Sequence, residues 1–446
     1  MIGDRNARTQ VVLDSSPVGT PSPSFLMPLF QRSFHRVVAV ATIAVAAACS
    51  SSTEPGSGTQ PAPLENLPRQ LTAGEQTLVS AANDFSFALF RQVTAANRDS
   101  NVFASPLSAS MALGMTMNGA AGATYTQMRG ALGFGSATDA DINASYRSLI
   151  TLLRGLDPTV EFRIANSIWY RSGFPFEQSF LDVSKASFDA TVAGLDFSSP
   201  SAVSTINDWV NTATAAKIPK IIDQIDANQV MFLINAIYFK GSWRDNFDPA
   251  ETKDDVFHGI SGDQSMRLMH RHGTMRFLFR PDLSAVDLPY GNSAYSMTVV
   301  LPQGGASVDQ LAASLTTATW TTLTSQLHDF TTDLWLPKLT LEWSRVLNDD
   351  LETLGMHDAF VPDGADFTRM STTRGHSLYI DQVKQKTFLD INEVGTEAAA
   401  VTSVGVSVTS VTAPPPSLRV DRPFIFVIRE RLSGTILFMG KIVRML

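Results

Sequence analysis

EVGTEAAAVTSVGVSVTSVTAPPP, residues 393–416, is a stretch of small and β-branched residues with the alternation of a β-strand. If the chain is extended here, alternate side chains fall on opposite faces. One face then carries only small or β-branched residues, namely Thr396, Ala398, Ala400, Thr402, Val404, Val406 and Val408. The stretch therefore predicts a strand that can enter a sheet, with Gly395 as a backbone hinge. A flexible loop and a permanent edge strand are alternatives that these residues alone leave open.

The chain around this stretch predicts an α+β fold, because helical and strand patterns do not alternate regularly. Thr72 and Glu75 form a capping box, and Ser105 with Pro106 starts a second helix. Residues 230–239 are almost continuously apolar, as in a strand buried on both faces, and Asn235 at its centre needs hydrogen-bond partners. Further strands are predicted at 295–301, 332–341 and 424–428, and helices at 203–217, 307–315 and 345–354.

The composition excludes several classes of function. The 446 residues include 34 basic and 42 acidic side chains, a net charge of −8, and no run of Lys and Arg, so no nucleic-acid partner is expected. The single cysteine, Cys49, excludes a disulfide framework and a thiolate zinc site.

A search for catalytic motifs gives only negatives. GTILFMGK at 434–441 lacks the spacing of a phosphate-binding loop and is interpreted as a strand. His270 and His272 can share one face of a strand, but without a third ligand nearby we interpret them as exposed surface residues. No metal, no cofactor and no enzymatic activity are predicted.

The amino terminus has the order of a secretory signal. Arg32 and Arg36 precede the apolar run 37–48, which is too short to span a bilayer and ends directly before Cys49. This order resembles a bacterial lipoprotein signal, in which Cys49 would carry the lipid; an ordinary signal peptide is the alternative. Translation is expected to start at Met27. We expect a protein secreted to the exterior or the periplasm, with a possible lipid anchor in the cell envelope.

The domain boundaries follow from composition. Residues 1–48 form the signal segment and 49–71 a linker, since Ser, Pro, Gly and Thr dominate 50–70 and cannot bury enough apolar surface to fold. Residues 72–446 then form one folded domain without another such linker.

The domain resembles the serpin family of serine protease inhibitors. The resemblance rests on NEVGTEAAAVT (392–402), LRVDRPFIFVI (418–428) with FMGKIV (438–443), NAIYFKGSW (235–243) and NVFASPLSASMALGMTMNGAAGATYTQM (101–128), in the family's order and spacing. It implies about nine helices around three sheets, with a large central sheet and an exposed reactive-centre loop. It also implies a monomer that a target serine protease attacks as a substrate, after which the loop inserts into the sheet and traps the protease.

The resemblance assigns roles to two groups of residues. The hinge of the loop comprises Glu393, Gly395, Thr396, Ala398, Ala399 and Ala400. The region where the sheet opens comprises Ser105, Asn235, Trp243 and Gln385, the last at a position where many members have a histidine that hydrogen-bonds the asparagine. Val394 and Val401 depart from the usual hinge but are good strand formers. A non-inhibitory binding or scaffold protein and an inhibitor of cysteine proteases remain alternatives.

The loop predicts the class of target protease. Counting forward from Glu393 at the spacing usual in the family places the scissile bond at Thr409-Ser410. Counting back from the carboxy-terminal end of the loop places it at Thr412-Ala413. No Lys or Arg lies between Glu393 and Leu418, so trypsin-like pockets find no anchor. The small Val and Thr side chains favour an elastase- or subtilisin-like protease.

Overall fold

Nine α-helices surround the sheets within the residues that the computed structural model describes, 61–396 and 416–445. The helices are α1 Ala73–Ala96, α2 Pro106–Met117, α3 Gly122–Ala131, α4 Asp139–Arg154, α5 Gln178–Phe188, α6 Ser201–Ala213, α7 Val308–Ser314, α8 Thr317–Ser325 and α9 Asn348–Thr353. None of these helices has both the length and the apolar character needed to cross a bilayer.

Fifteen strands lie in the same part of the chain, and they do not alternate regularly with the helices. They are β1 Val102–Ala104, β2 Val160–Arg171, β3 Ala190–Leu195, β4 Met231–Ser242, β5 Lys253–Gly259, β6 Gly262–Phe279, β7 Leu283–Pro289, β8 Tyr295–Pro302, β9 His328–Pro337, β10 Leu339–Val346, β11 Lys384–Ile391, β12 Gly395–Thr396, β13 Leu418–Arg419, β14 Phe424–Glu430 and β15 Ile436–Ile442. The α+β class predicted from the sequence is confirmed.

Hydrogen bonding organises these strands into two networks. One sheet has the order β10-β11-β12-β4-β2-β3. The other has the order β1-β15-β14-β8-β7-β6-β9-β13, with β5 paired to β6. β6 is long enough to pair with β9 over 268–277 and with β7 over 276–279. Two of the three sheets implied by the family resemblance are thereby joined through one continuous strand.

Most of the elements predicted from the sequence are confirmed, and two details are corrected. The predicted strand 332–341 is two strands in different sheets, because Pro337 ends β9 and cannot donate a further ladder hydrogen bond. Ser105 occupies the amino-terminal cap of α2, but its Oγ donates to the carbonyl of Leu437 at 2.8 Å instead of capping the helix. The capping box of Thr72 and Glu75 is formed as expected.

The segment 61–71 lies against the domain, whereas its composition predicted a linker. Leu64, Leu67 and Leu71 pack on the hydrophobic core. Arg69 donates to the buried carboxylate of Glu75 at 2.7 Å, and this hydrogen bond lowers the pKa of Glu75 to about 2. The three leucines and one ion pair therefore order a segment that is otherwise rich in polar residues and proline.

α2 positions the candidate site. The helix is buried almost throughout and lies between the six-stranded sheet, against β4, and the end of β15. Its amino terminus therefore lies behind the strands that flank β12.

Candidate functional site

The short strand β12 lies between β11 and β4. Gly395 pairs with Ser242, and Thr396 pairs with Gly241 on one side and Ile391 on the other, all antiparallel. Within the described residues β11 and β4 do not pair directly with each other. The first hinge residues thus begin a central strand, and an edge strand is excluded for this part of the stretch.

A tight turn leads from β11 into β12. The amide of Asn392 donates to the carbonyl of Gly395 at 2.9 Å. The side-chain Oδ1 of Asn392 accepts from the amides of Val394 at 3.0 Å and Gly395 at 3.3 Å. An asparagine side chain that accepts from the backbone two residues further on stabilises such a turn. The sequence Asn-Glu-Val-Gly therefore reverses the chain locally.

Gly395, for which the sequence predicts a hinge role, has a steric role in the structure. Its backbone is not in the left-handed region. A Cβ atom at this position would lie 2.1 Å from the carbonyl oxygen of Gly241 and 2.7 Å from the Cα of Ser242. Only glycine therefore allows β12 to approach β4 this closely.

Thr396 points into the protein, as the alternation predicted for this residue. It is 3% exposed, and its Oγ1 shares a hydrogen bond of 2.7 Å with the Oη of Tyr290. Burial raises the pKa of Tyr290, so its phenol stays protonated. The pocket around Thr396 fits a small hydroxyl side chain and offers no counter-charge from Tyr290.

Trp243 donates hydrogen bonds to the turn between β11 and β12 and packs its ring on Tyr290. Its ring stacks on Tyr290 with 4.6 Å between the centroids. Its backbone amide donates to Val394 O at 2.7 Å, and its indole Nε1 donates to Asn392 O at 2.9 Å. Trp243 is thus placed against the hinge.

Glu393 is anchored by two residues that sequence reasoning missed. Its carboxylate accepts from Lys338 Nζ at 2.8 Å and from Thr252 Oγ1 at 2.8 Å. Burial opposes ionisation of Glu393, but the hydrogen bonds from Lys338 and Thr252 and the charge of Lys338 hold its pKa below the usual range. Lys338 joins β9 to β10, so this contact connects Glu393 to both sheets.

Replacing Glu393 with glutamine is expected to cost about 1 kcal/mol at neutral pH, because a charge-assisted hydrogen bond is lost at a partly exposed lysine. The folded-state pKa is lowered, so the contribution is complete above the unfolded value of about 4.3 and disappears as the pH falls through the lower folded value. Urea unfolding of both proteins between pH 7 and pH 3 measures this difference. Glu342→Gln, at an exposed position on β10, is the control, and a difference that grows towards acid pH would contradict the assignment.

Asn235 finds its partners on two neighbouring elements. Its Nδ2 donates to Oδ1 of Asn166 on β2, and its Oδ1 accepts from the hydroxyl of Ser108 on α2. Asn166 in turn donates to the carbonyl of Phe188 at 2.6 Å. β4 is therefore tied to the buried helix through one polar side chain.

Gln385, on β11, forms hydrogen bonds with the amino terminus of the same helix, α2. Its Oε1 accepts from the amide of Ser105 at 3.0 Å, and its Nε2 donates to the carbonyl of Ser105 at 2.8 Å. The side chains of Gln385 and Asn235 do not bond each other, in contrast to the contact that the family pattern implied. The reason is geometric, since β11 and β4 lie apart and each is fixed separately to α2.

A cavity of about 200 Å³ lies between the beginnings of these two strands. Its walls are formed by β4, β11 and the outer turns of α2, and the loop that follows α6 adds Ile221 and Ile222. Asn235, Ser108 and Gln385 all line it. The candidate site is thus a slot between β11 and β4 in the sheet. β12 fills one end of this slot, and the cavity lies at the other end.

Other predicted residues fall elsewhere. His270 and His272 share the carboxylate of Asp333 at 2.9 and 3.1 Å on the face of β6, and the described residues contain no cluster of side chains suited to a metal ion. The remaining predictions lie outside the described residues: the hinge residues Ala398, Ala399 and Ala400, the bonds Thr409-Ser410 and Thr412-Ala413, the exposed loop and Cys49.

The comparisons with known proteins agree with this architecture. The family described as "Serpin (serine protease inhibitor)" matches residues 80–445. The leukocyte elastase inhibitor of Sus scrofa is 34% identical over 381 residues, which cover 82% of this chain and 98% of that protein. The chain belongs to the serpin family.

Solved structures give the same family assignment. The native state of tengpin, a thermophilic serpin, superposes with a TM-score of 0.75 at 31% identity, covering 86% of this chain and 97% of that one. Human thyroxine-binding globulin in complex with thyroxine has a TM-score of 0.75 at 29% identity, and the match covers 83% of this chain and 99% of that one. The family therefore includes relatives named as inhibitors and a relative named as a binding protein.

Proposed function

We propose that this protein inhibits serine proteases as a suicide substrate, by inserting its reactive-centre loop between β11 and β4. The observation that carries the proposal is the position of β12, which separates two strands that do not pair with each other. After cleavage, the residues that follow Thr396 would extend β12 along the slot. A protease still joined to the loop as an acyl-enzyme would be carried along and distorted before deacylation.

The energetics favour such an insertion. Each inserted residue exchanges backbone hydrogen bonds with water for bonds to β11 and β4. Some fifteen residues at roughly 0.5 to 1.5 kcal/mol per net hydrogen bond give on the order of 10 kcal/mol. This free energy is large enough to drive the rearrangement in one direction, so one molecule of the protein is consumed per protease.

An elastase- or subtilisin-like protease is the proposed target. The loop offers Val408, Thr409, Val411 and Thr412 as small anchors, which suit a shallow specificity pocket. The relative named as a leukocyte elastase inhibitor supports the same class. Thyroxine-binding globulin supports a second candidate, a non-inhibitory carrier that forms no complex with a protease.

The deciding experiment mixes the purified protein with elastase, subtilisin, chymotrypsin, trypsin and a papain-like cysteine protease. With elastase or subtilisin we expect a band that survives denaturation, at the summed mass of the two proteins less the released carboxy-terminal peptide. Mass spectrometry is expected to find a released peptide that begins at Ser410 or Ala413. Cleavage without a complex by every protease would favour the carrier, and a preference for trypsin would contradict the proposed specificity.

We further propose that the protein is exported and held in the cell envelope by a lipid on Cys49. The apolar run 37–48 directly before the single cysteine supports this proposal. Metabolic labelling with a radioactive fatty acid is expected to mark the wild-type protein and not Cys49→Ala. Equal labelling of both proteins, or of neither, would contradict a lipid at this residue.

A further inference from the structure

Four lysines gather on the outer face of β11, and we call them the lysine cluster: Lys217, Lys220, Lys384 and Lys386. The side chains of Lys384 and Lys386 lie on the face of β11 opposite to the buried Gln385. Lys217 and Lys220 come from the loop between α6 and β4, which passes over this face. The cluster is therefore assembled from two separate parts of the chain.

Specific contacts hold the cluster together. Lys386 Nζ donates to the carbonyl of Lys220 at 2.6 Å. Lys217 Nζ lies 4.8 Å from the centre of the Phe388 ring, a cation–π contact. These contacts fix the loop to β11, so the ammonium groups are arranged before any ligand arrives.

One carboxylate already occupies a position between two of the lysines. Asp223 lies 2.8 Å from Lys220 through one oxygen and 3.9 Å from Lys384 through the other. The Asp223 side chain is 71% exposed, so it can turn away at little cost. Its two oxygens mark where an oxyanion would be held by the same ammonium groups.

The surroundings leave the cluster with an excess of positive charge. The cross-strand neighbours of Lys384 and Lys386 on β10 are the neutral Val346 and Ser344. Besides Asp223, the acidic group that acts on Lys386 is Glu342. Burial lowers the pKa of Lys386, and the like charges of Lys384 and Lys220 act in the same direction. An anion bound between these lysines would offset their like charges.

We propose that the lysine cluster binds a linear polyanion that carries sulfate or phosphate groups. Ammonium groups bind such groups as point charges and do not require the planar, bidentate geometry of arginine. Lys217 covers Phe388, so the described residues of the cluster present no free aromatic face on which nucleic-acid bases could stack. The ligand is thus recognised by the spacing of its charges. The site is distinct from the slot between β11 and β4.

Isothermal titration with sulfated dextran and with inorganic polyphosphate at several salt concentrations tests the proposal and distinguishes the two sources of charge. Lys384→Gln with Lys386→Gln is expected to lower the affinity and to reduce the log–log salt slope by about 1.4, at about 0.7 per lost contact. Asp223→Asn is expected to raise the affinity, because it removes the competing carboxylate. The control variant, Lys185→Gln with Lys253→Gln, changes the net charge equally at two lysines outside the cluster. It is expected to change neither the affinity nor the salt slope.

Three results would overturn the inference. The first is an absence of binding to both polymers at low salt. The second is an equal loss of affinity in the two double variants, which would indicate a response to net charge alone. The third is tighter binding of single-stranded DNA than of either polymer. Thermal unfolding of each variant without ligand establishes that it is folded, so a loss of binding is not a loss of structure.

Discussion

Replacing Thr396 with arginine is expected to convert the proposed inhibitor into a substrate. The Thr396 side chain is buried between β11 and β4 against the phenol of Tyr290, and an arginine there would place a buried charge against this neutral group. Burying an unpaired charge costs far more than a strand gains from a few hydrogen bonds. The arginine is expected to expel β12 from its place between β11 and β4, so the loop is still cleaved but the strand cannot extend into the sheet. Denaturing gels with elastase are expected to show cleaved protein and a complete loss of the covalent complex.

Two variants control this experiment. Thr396→Ser keeps the hydroxyl that bonds Tyr290 and is expected to retain trapping. Thr322→Arg makes the same change of residue type at an exposed position on α8 and is also expected to trap normally. Unchanged trapping by Thr396→Arg would contradict insertion at this position.

Replacing Trp243 with alanine is expected to give the largest loss of stability. The change removes a buried ring that stacks on Tyr290, and it removes the indole hydrogen bond to Asn392. Truncation of a large buried aromatic costs about 3–5 kcal/mol. Urea unfolding measures this loss, and a shorter lifetime of the native form at 37 °C is expected with it.

Trp243→Phe separates the two contributions. Phenylalanine keeps a ring against Tyr290 but leaves the carbonyl of Asn392 without the indole donor. The expected cost is about 1–3 kcal/mol, the range for an unsatisfied buried polar group. A loss below 1 kcal/mol for Trp243→Ala would show that the turn is held by other contacts.

The fold could be predicted from the sequence because its evidence is local. The capping box at Thr72, the apolar run of β4 and the strand patterns at 295–301 and 424–428 each lie within one element. The inward position of Thr396 follows from the same alternation. The composition of 49–71 was a weaker guide, because three leucines are enough to order the segment 61–71 although polar residues and proline surround them.

The contacts of the site could not be predicted because they join distant parts of the chain. Lys338 and Thr252 lie 55 and 141 positions before Glu393, and no pattern links them to it. The partner of Gln385 was likewise not predictable from the sequence. The family pattern suggested a contact with Asn235, but the separation of β11 and β4 directs both side chains to α2.

The most direct test of insertion compares the intact protein with protein cleaved in the loop by a metalloprotease, which forms no acyl-enzyme and is not trapped. Hydrogen exchange and thermal unfolding are measured on both forms. Insertion predicts that the cleaved form unfolds at a clearly higher temperature and that backbone amides of β4 and β11 gain protection. Equal unfolding temperatures, with unchanged exchange in both strands, would contradict the proposal that β12 extends into the slot.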